Sequence, residues 1–235
     1  MITNLTMQVR NRPKLTMQAL DSLLVVNPAK MNITILDDRS DFETQWMLDC
    51  WARKHGAHLV RNDVPMGTGQ LRNLVIAESE KFFGRGDYLA PHDNDVFFHP
   101  HWLEKIIACY EEAWDQGFRL MGAYAHPFHL PWGDFVEMKT RLGYHVYRVQ
   151  ALPTQSQFMR WDVWDQFGPF CETPVDKVCQ SEDVDFSRRF TAADAKIGVV
   201  FPHVVNATAF TNTFGETIPG WNLVQAACPK DLVCE

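Results

Sequence analysis

The sequence lacks any uninterrupted apolar run of the roughly 18 residues that a membrane-spanning helix needs. Its N-terminus also lacks the basic segment and the following apolar run of a secretory signal peptide. Internal repeats and low-complexity stretches are absent as well. We therefore expect a cytoplasmic protein without a membrane span.

Positive charge and paired cysteines are also scarce. The chain has 22 lysines and arginines against 29 acidic residues, which gives a net charge of −7. A protein that follows a nucleic-acid backbone normally needs a basic surface, so we expect no nucleic-acid partner. The six cysteines include no C-x-x-C pair, which favours reduced thiols.

The chain does contain enough apolar sequence for one large domain. Its 235 residues are 46% hydrophobic, and we predict a single domain over residues 1–235. Within the first half, four short apolar segments each precede a stretch with helical periodicity. This alternation predicts an α/β fold with a mainly parallel sheet flanked by helices, whose ligand site lies beyond the carboxyl ends of the strands. The predicted strands cover residues 4–9, 31–36, 57–61 and 88–91, and Ser40-Asp41-Phe42-Glu43 has the form of a capping box.

The second half of the chain differs in texture. Residues 126–137 are rich in proline, glycine, histidine and aromatic residues, which predicts a lobe shaped as a pocket. Trp161, Trp164 and Phe167 recur at helical spacing, and Ser181 opens another predicted helix. Further strands are predicted at residues 121–124, 144–149 and 197–201, the second of them isolated.

A pair of aspartates one residue apart follows the fourth predicted strand. An extended backbone sends alternate side chains to the same face, so Asp93 and Asp95 can present oxygens to one hard cation. Asp37 and Asp38 follow the second strand and belong to the same edge of a parallel sheet. The alternative for an isolated Asp-x-Asp is a solvated turn, so the hypothesis depends on the neighbours of the pair.

Six segments occur in an order that is informative as a set. They are a first strand that runs into Asn11-Arg12-Pro13, a second that ends Ile35-Leu36-Asp37-Asp38-Arg39-Ser40, Gly67 with Leu71-Arg72-Asn73, Asp93-Asn94-Asp95 followed by Trp102-Leu103, Ser181-Glu182-Asp183 with Arg188, and the late His203. In this order they resemble the nucleotide-sugar glycosyltransferases of the GT-A fold, particularly glycosyltransferase family two. The resemblance covers about residues 4–205.

The resemblance implies a Rossmann-like GT-A domain that moves a sugar from a UDP-sugar to a saccharide or another hydroxyl acceptor. It divides the chain into a nucleotide-sugar-binding half, a smaller acceptor-binding half and a C-terminal tail. These parts would cover residues 1–115, 116–210 and 211–235.

A divalent ion follows from the chemistry of this reaction. Cleavage of the bond to a diphosphate leaving group builds up negative charge, which a metal stabilises as a Lewis acid. By resemblance the ion is Mn²⁺ or Mg²⁺, with Asp95 as a direct ligand, Asp93 holding the ribose or a metal-bound water, and His203 completing the site. An imidazole among carboxylates suits Mn²⁺ better than Mg²⁺. The alternative for His203 is an ordinary histidine at the end of a strand.

The nucleotide contacts are also implied by the resemblance. Asp38 would accept a hydrogen bond from the base, which points to uridine, and Arg72 would bind the base or the diphosphate as a bidentate donor. The alternatives are a helix-capping acid for Asp38 and a solvated helix arginine for Arg72. The full nucleotide-sugar set is Gln8, Val9, Arg10, Asp38, Arg72, Asp93 and Asn94.

Asp183 matches the family's catalytic base, which removes the proton of the acceptor hydroxyl and contributes typically about 10²- to 10⁴-fold to the rate. Direct attack by the acceptor would then invert the anomeric centre. Retention of the configuration is the alternative, because retaining GT-A enzymes share the metal motif. The alternative for Asp183 is an acid that a helix N-terminus favours. Acceptor contacts are predicted for Trp132 and Glu182.

Three other classes of protein compete with this prediction. A catalytically silent nucleotide-sugar or glycan-binding protein would share the fold. A nucleotidyltransferase would carry a glycine-rich loop after the first strand, where this chain has Arg10-Asn11-Arg12-Pro13. A metal-dependent hydrolase would use the same acids and histidines. The transferred sugar, the acceptor and the oligomeric state stay open.

Overall fold

The computed structural model describes residues 1–25, 30–123, 136–152, 155–172, 182–201 and 204–207. The helices are α1 (Pro13–Leu23), α2 (Phe42–His55), α3 (Thr68–Phe83), α4 (Trp102–Trp114), α5 (Trp161–Phe167) and α6 (Glu182–Ala192). The strands are β1 (Thr3–Val9), β2 (Met31–Asp38), β3 (His58–Asn62), β4 (Tyr88–Asp93), β5 (Val96–Phe98), β6 (Phe118–Gly122), β7 (Val136–Lys139), β8 (His145–Val149), β9 (Gln157–Arg160), β10 (Lys196–Phe201) and β11 (Val205–Ala207).

Within these residues, nine strands form one sheet in the order β3-β2-β1-β4-β9-β6-β10-β8-β7. Strands β1 to β4 pair in parallel, and β6 pairs in parallel with β10. Within this sheet only β8 and β9 run against the other strands. The predicted α/β fold with a mainly parallel central sheet and flanking helices is therefore confirmed.

The central strands are buried along nearly their whole length because the sheet is covered on both faces. Six of the seven residues of β1 are buried, and α1 turns Leu20 and Leu23 toward the core. A second cluster fills the space around α5 and α6, where the rings of Phe167 and Phe190 stack at 4.0 Å. This aromatic packing fixes the position of α6, whose first turn carries the predicted catalytic acid.

The start of α2 corrects the predicted capping box. The carboxylate of Asp41, rather than the hydroxyl of Ser40, caps the helix and accepts from the Thr44 amide at 2.8 Å. Ser40 Oγ instead accepts from the Asn11 amide at 2.8 Å. The Ser40 side chain, which the local pattern assigned to helix capping, thus bonds instead to the loop that follows β1.

The second half of the chain differs from its prediction in several strands. A strand is present at the predicted residues 144–149, as β8, but the prediction that it is isolated is wrong, because β8 pairs with both β7 and β10. Strands β5, β7, β9 and β11 are three or four residues long, too short to produce a periodic pattern. Residues 126–135 of the predicted pocket-shaped lobe lie outside the described residues, and the limits of the three predicted parts of the chain stay a prediction.

The predictions on membrane spans and on reduced cysteines can be compared with the described part of the chain. Within it, no helix combines the length and apolar character needed to cross a bilayer. Cys50, Cys109 and Cys171 are free thiols. The other three cysteines lie outside the described residues.

Candidate active site

A cavity of about 410 Å³ opens at the carboxyl ends of β1, β2 and β4, next to the N-termini of α3 and α6. Parallel strands with short loops deliver their last side chains to one edge, which explains why residues far apart in sequence meet there. All seven side chains predicted to bind the nucleotide-sugar line this cavity, together with Asp95 and Glu182. The lining residues are Gln8, Val9, Arg10, Arg12, Asp38, Met66, Thr68, Leu71, Arg72, Asp93, Asn94, Asp95 and Glu182.

Arg72 is the central cation of the cavity. It lies on the first turns of α3, is 3% exposed, and pairs with Asp93 at 2.7 Å and with Glu182 at 3.4 Å. Burial alone would lower the pKa of this guanidinium, but the charges of Asp93 and Glu182 and their hydrogen bonds raise it. Arg72 therefore stays charged, and the alternative of a solvated helix arginine is wrong.

Asp95 is a buried carboxylate beside a second arginine. Its Oδ2 lies 3.2 Å from Nη1 of Arg12, and both side chains are nearly enclosed. Burial and the charge of Asp93 raise the pKa of Asp95 to about 6, while Arg12 opposes the rise. Negative charge is thus costly at this position, and an added cation would stabilise it.

The donor set at this end of the cavity fits a hard divalent ion. Asp93 and Asp95 offer carboxylate oxygens, which Mg²⁺ and Mn²⁺ prefer. Among the described residues no group of three His, Cys, Asp or Glu side chains forms a complete metal site. Such ions commonly use one or two carboxylates together with water and substrate phosphates, so a pair of aspartates suffices. The predicted ligand His203 lies outside the described residues.

Asp38 ends β2 inside the cavity and is buried. Its Oδ1 accepts from Asn62 Nδ2 at 2.9 Å and from Arg39 Nε at 3.2 Å, and its Oδ2 lies 3.5 Å from Arg10 Nη1. The helix-capping alternative is wrong for this residue, since Asp41 caps α2. Asn62 and the arginines hold the carboxylate as a hydrogen-bond acceptor in the wall of the cavity.

The first turn of α6 places two of its three acids, Glu182 and Asp183, differently. Glu182 lines the cavity and binds Arg72, whereas Asp183 is not among the lining residues. Asp183 Oδ1 accepts from the following amide, that of Val184, at 2.7 Å. Consecutive residues of a helix point about 100° apart, so only one of the two can face the wall directly. The predicted acceptor residue Trp132 lies outside the described residues.

Four further side chains line the cavity although the sequence patterns gave them no role: Arg12, Met66, Thr68 and Leu71. Arg12 was part of the first motif. Its position in the loop after β1, directly before Pro13, was the sequence feature that could have indicated a role in the site. Met66 lies in the loop before α3 and Thr68 is the first residue of that helix, so their positions depend on the path of the loop. No local pattern marks them as site residues.

A close contact joins α3 to the segment that precedes α6. The Asn73 amide bonds both the N–H and the C=O of Phe170, at 2.9 and 3.0 Å. One turn earlier, a Cβ on Gly69 would overlap the carbonyl oxygen of Cys171. Gly69 is therefore required by this approach of two backbones and not by its own conformation.

Substitution of Gly69 tests that contact. Within a helix Gly→Ala normally stabilises by about 0.5–1 kcal/mol, but here the overlap with Cys171 should destabilise Gly69→Ala by about 2 kcal/mol or more. Urea unfolding gives the free energy. Gly56→Ala is the matched control, because Gly56 has φ of 69° and open space around it, and its cost should be about 1 kcal/mol. Equal stability of Gly69→Ala and wild type would contradict the close contact.

The raised pKa of Asp95 predicts a pH-dependent stability. The folded protein, with a pKa of about 6 against the ordinary value of 3.8, binds this proton more tightly than the unfolded chain. The contribution of Asp95 to the stability of the metal-free protein should thus fall as pH rises from about 4 to 6, by up to about 1.4 kcal/mol per pH unit. Urea unfolding in EDTA at pH 4, 5, 6 and 7 measures it. The difference between wild type and Asp95→Asn should change over this window; a constant difference would contradict the shift.

The arrangement of this sheet and its flanking helices is that of the GT-A class of α/β proteins. Two solved structures share the fold. The mannosyltransferase PcManGT from Pyrobaculum calidifontis, in complex with GDP-Man and Mn²⁺, matches with a TM-score of 0.62 and 14% identity over 84% of this chain. TarS 1-349 from S. aureus, in complex with UDP-GlcNAc, matches with a TM-score of 0.66 and 16% identity over 90% of this chain.

The model of glycosyl transferase family 2 matches residues 6–159, and the chain belongs to this family. The match runs from β1 through β9 and includes the Asp93-Asn94-Asp95 triplet. The chain spans 56% of the PcManGT chain and 60% of the TarS 1-349 chain. No curated protein sequence matches it significantly. The resemblance to family two is therefore confirmed.

Proposed function

We propose that this protein transfers a sugar from a UDP-sugar to a hydroxyl acceptor, using a divalent ion and inverting the anomeric centre. The observation that carries the proposal is the meeting of Asp38, Arg72, Asp93 and Asp95 in one cavity at the carboxyl edge of the sheet. A nucleotide diphosphate needs an acceptor or donor for its base and positive charge for its phosphates. These side chains supply both within one space of about 410 Å³.

The base would lie at the Asp38 end. Its carboxylate accepts hydrogen bonds and is flanked by the guanidinium groups of Arg10 and Arg39. Uracil offers one N–H between two carbonyl oxygens, which is the complement of an acceptor between two donors. The guanine edge offers two adjacent N–H donors beside a single carbonyl, and one of the flanking arginines would oppose a donor. This pattern supports a UDP-sugar over a GDP-sugar.

The diphosphate and the reacting carbon would lie toward Arg72 and Asp95. A bound Mn²⁺ or Mg²⁺ would supply Lewis-acid stabilisation of the leaving diphosphate. Arg72 donates to Asp93 and thereby fixes the position of that carboxylate. The guanidinium of Arg72 would also supply the positive charge that attracts the diphosphate. Asp95 would be the direct oxygen ligand of the ion, and Asp93 would hold the ribose or a metal-bound water. Asn94 Nδ2 donates to Thr16 Oγ1 at 2.8 Å, which ties the loop between the two aspartates to α1.

In the transfer step, the acceptor oxygen bonds to the anomeric carbon while the bond from that carbon to the diphosphate oxygen breaks. The bonding electrons leave with the diphosphate, and the acceptor proton passes to the carboxylate of Asp183. The position of Asp183 at the start of α6, beside the Glu182 that lines the cavity, supports this role. Because attack and departure occur on opposite faces of the carbon, the product has the inverted configuration.

A screen of donors tests the proposal. The protein is incubated with UDP-glucose, UDP-galactose, their N-acetyl forms and GDP-mannose, with Mn²⁺ or with EDTA, and nucleotide release is followed. We expect metal-dependent UDP release from one UDP-sugar and little from GDP-mannose. NMR of the anomeric proton of the product distinguishes inversion from retention. If calorimetry detects no UDP binding with or without metal, the proposed function is wrong; UDP binding without turnover on any acceptor identifies a silent binding protein.

A further inference from the structure

Each carboxylate that lines the cavity pairs with an arginine. Asp93 and Glu182 pair with Arg72, and Asp38 lies near Arg10. The remaining pair joins Arg12 to Asp95 at 3.2 Å, and 13% and 12% of these two side chains are exposed. Because a divalent ion needs the Asp95 oxygens, it must compete with the Arg12 guanidinium. The other three carboxylates are not the proposed direct metal ligand, so their ion pairs do not compete with the ion in this way.

The backbone around Arg12 is held firmly. Asn11 and Arg12 both adopt the left-handed region, with φ of 56° and 60°. The Asn11 amide donates to Ser40 Oγ at 2.8 Å, and its side-chain oxygen accepts from the Asp41 amide at 2.9 Å. These bonds tie the turn to the start of α2. An arginine side chain on a fixed backbone can still move its guanidinium by rotation about its own bonds.

The charges of the reactants indicate where Arg12 would move. The diphosphate of a UDP-sugar brings two negative charges into a cavity that Arg12 already lines. A guanidinium binds phosphate oxygens in the same bidentate way as a carboxylate. Arg72 contributes its positive charge to the same region, but its side chain is 4% exposed and bound to two carboxylates, so it is less free than Arg12 to turn toward a phosphate. When an ion takes Asp95, Arg12 loses a carboxylate and has an anionic partner within the same cavity.

We propose that Arg12 is a positioning residue that exchanges partners: it holds Asp95 in the free protein and binds the donor diphosphate when a divalent ion takes the carboxylate. This inference rests on the proposed function. The exchange makes the ion and the nucleotide bind cooperatively, because the nucleotide stabilises the arginine that the ion displaces. By linkage, the same coupling factor applies to both ligands.

Binding measurements test the exchange without any turnover. The affinity of Mn²⁺ is measured by calorimetry and electron paramagnetic resonance for wild type, Arg12→Met and Arg10→Met, without nucleotide and with saturating UDP. Without UDP, Arg12→Met should bind Mn²⁺ about 10- to 100-fold more tightly than wild type, the range expected from a lost charge-assisted hydrogen bond. With UDP this gain should disappear, so the coupling between Mn²⁺ and UDP falls by the same factor.

Arg10→Met is the matched control. It removes the same charge from the same cavity, but Arg10 is 53% exposed and lies near Asp38. Because Arg10 is proposed to flank the base, its loss should weaken UDP binding itself. The coupling between Mn²⁺ and UDP should nevertheless stay within about twofold of wild type, since Arg10 pairs with Asp38 and not with Asp95. A purely structural role of Arg12 would weaken both ligands together and leave the coupling unchanged. That result would overturn the exchange while leaving the proposed function intact.

A measurement on the wild-type protein keeps the proposal testable if Arg12→Met does not fold. The Arg12 Nε–H signal is assigned by nitrogen-15 NMR through its loss in Arg12→Lys, and Mg²⁺ and UDP are then added. The signal should shift when both ligands are present. An unchanged Arg12 signal at saturation with both ligands overturns the exchange. If the wild type binds neither Mn²⁺ nor UDP, the proposed function and this inference fail together.

Discussion

Asp95→Ala should abolish metal-dependent binding of the UDP-sugar and lower turnover by about 10³-fold, since a Lewis acid at a leaving group supplies several kcal/mol. The protein should remain folded, because this buried carboxylate is destabilised by its own burial and by Asp93. Calorimetry with UDP and Mn²⁺ gives the affinity, and UDP release gives the rate. Thermal unfolding confirms that the variant is folded.

Asp115→Ala is the control for the loss of an aspartate. Asp115 is exposed at the end of α4, away from the cavity, and its substitution should leave UDP affinity and turnover within about twofold of wild type. The metal assignment would be wrong if Asp95→Ala bound UDP and Mn²⁺ as tightly as wild type and kept its turnover. A fall in turnover with unchanged metal affinity would assign Asp95 to orientation of the donor.

Asp183→Asn should leave donor affinity nearly unchanged while turnover falls by about 10²- to 10⁴-fold, the usual contribution of a positioned base. The change replaces one oxygen by nitrogen and removes only the ability to accept a proton at neutral pH. Steady-state kinetics with a saturating UDP-sugar separate the two effects, because a group that acts only in the transition state changes kcat and kcat/KM equally.

Glu182→Gln is the matched substitution one residue away. Glu182 binds Arg72 and lines the cavity, so its loss should raise KM for the donor more than it lowers kcat. The two variants therefore separate the role of Glu182, which lines the cavity, from the role of Asp183 beside it. A wild-type rate for Asp183→Asn together with a large loss of kcat for Glu182→Gln would transfer the role of base to Glu182.

The first half of the fold was predictable because its signals are local. Apolar segments at β1, β2, β3 and β4 and amphipathic helices between them appear as periodic patterns in the sequence. Parallel pairing of such strands brings their carboxyl ends to one edge, so the positions of Asp38 and Asp93 at two strand ends are enough to predict that they lie near each other. The fold prediction and the family were confirmed, while the roles of the site residues stay predictions.

The second half was harder to predict because its strands depend on non-local pairing. The three residues of β5 and the four of β9 are too short to show a period, and each becomes a strand through its partner. Phe82 illustrates another limit of local patterns. It is apolar and lies on α3, but it is 60% exposed and stacks on His58 at the sheet edge, at 4.1 Å.

The sequence by itself determined the class of fold, and it predicted the edge of the sheet and the acids that line the candidate site. Only the tertiary structure decided how those acids are paired. Arg12 meets Asp95 across 83 residues, and Arg72 meets Glu182 across 110. The physical reason is that periodicity reports which face of an element is buried, whereas an ion pair depends on the positions of two elements and on the rotamers between them.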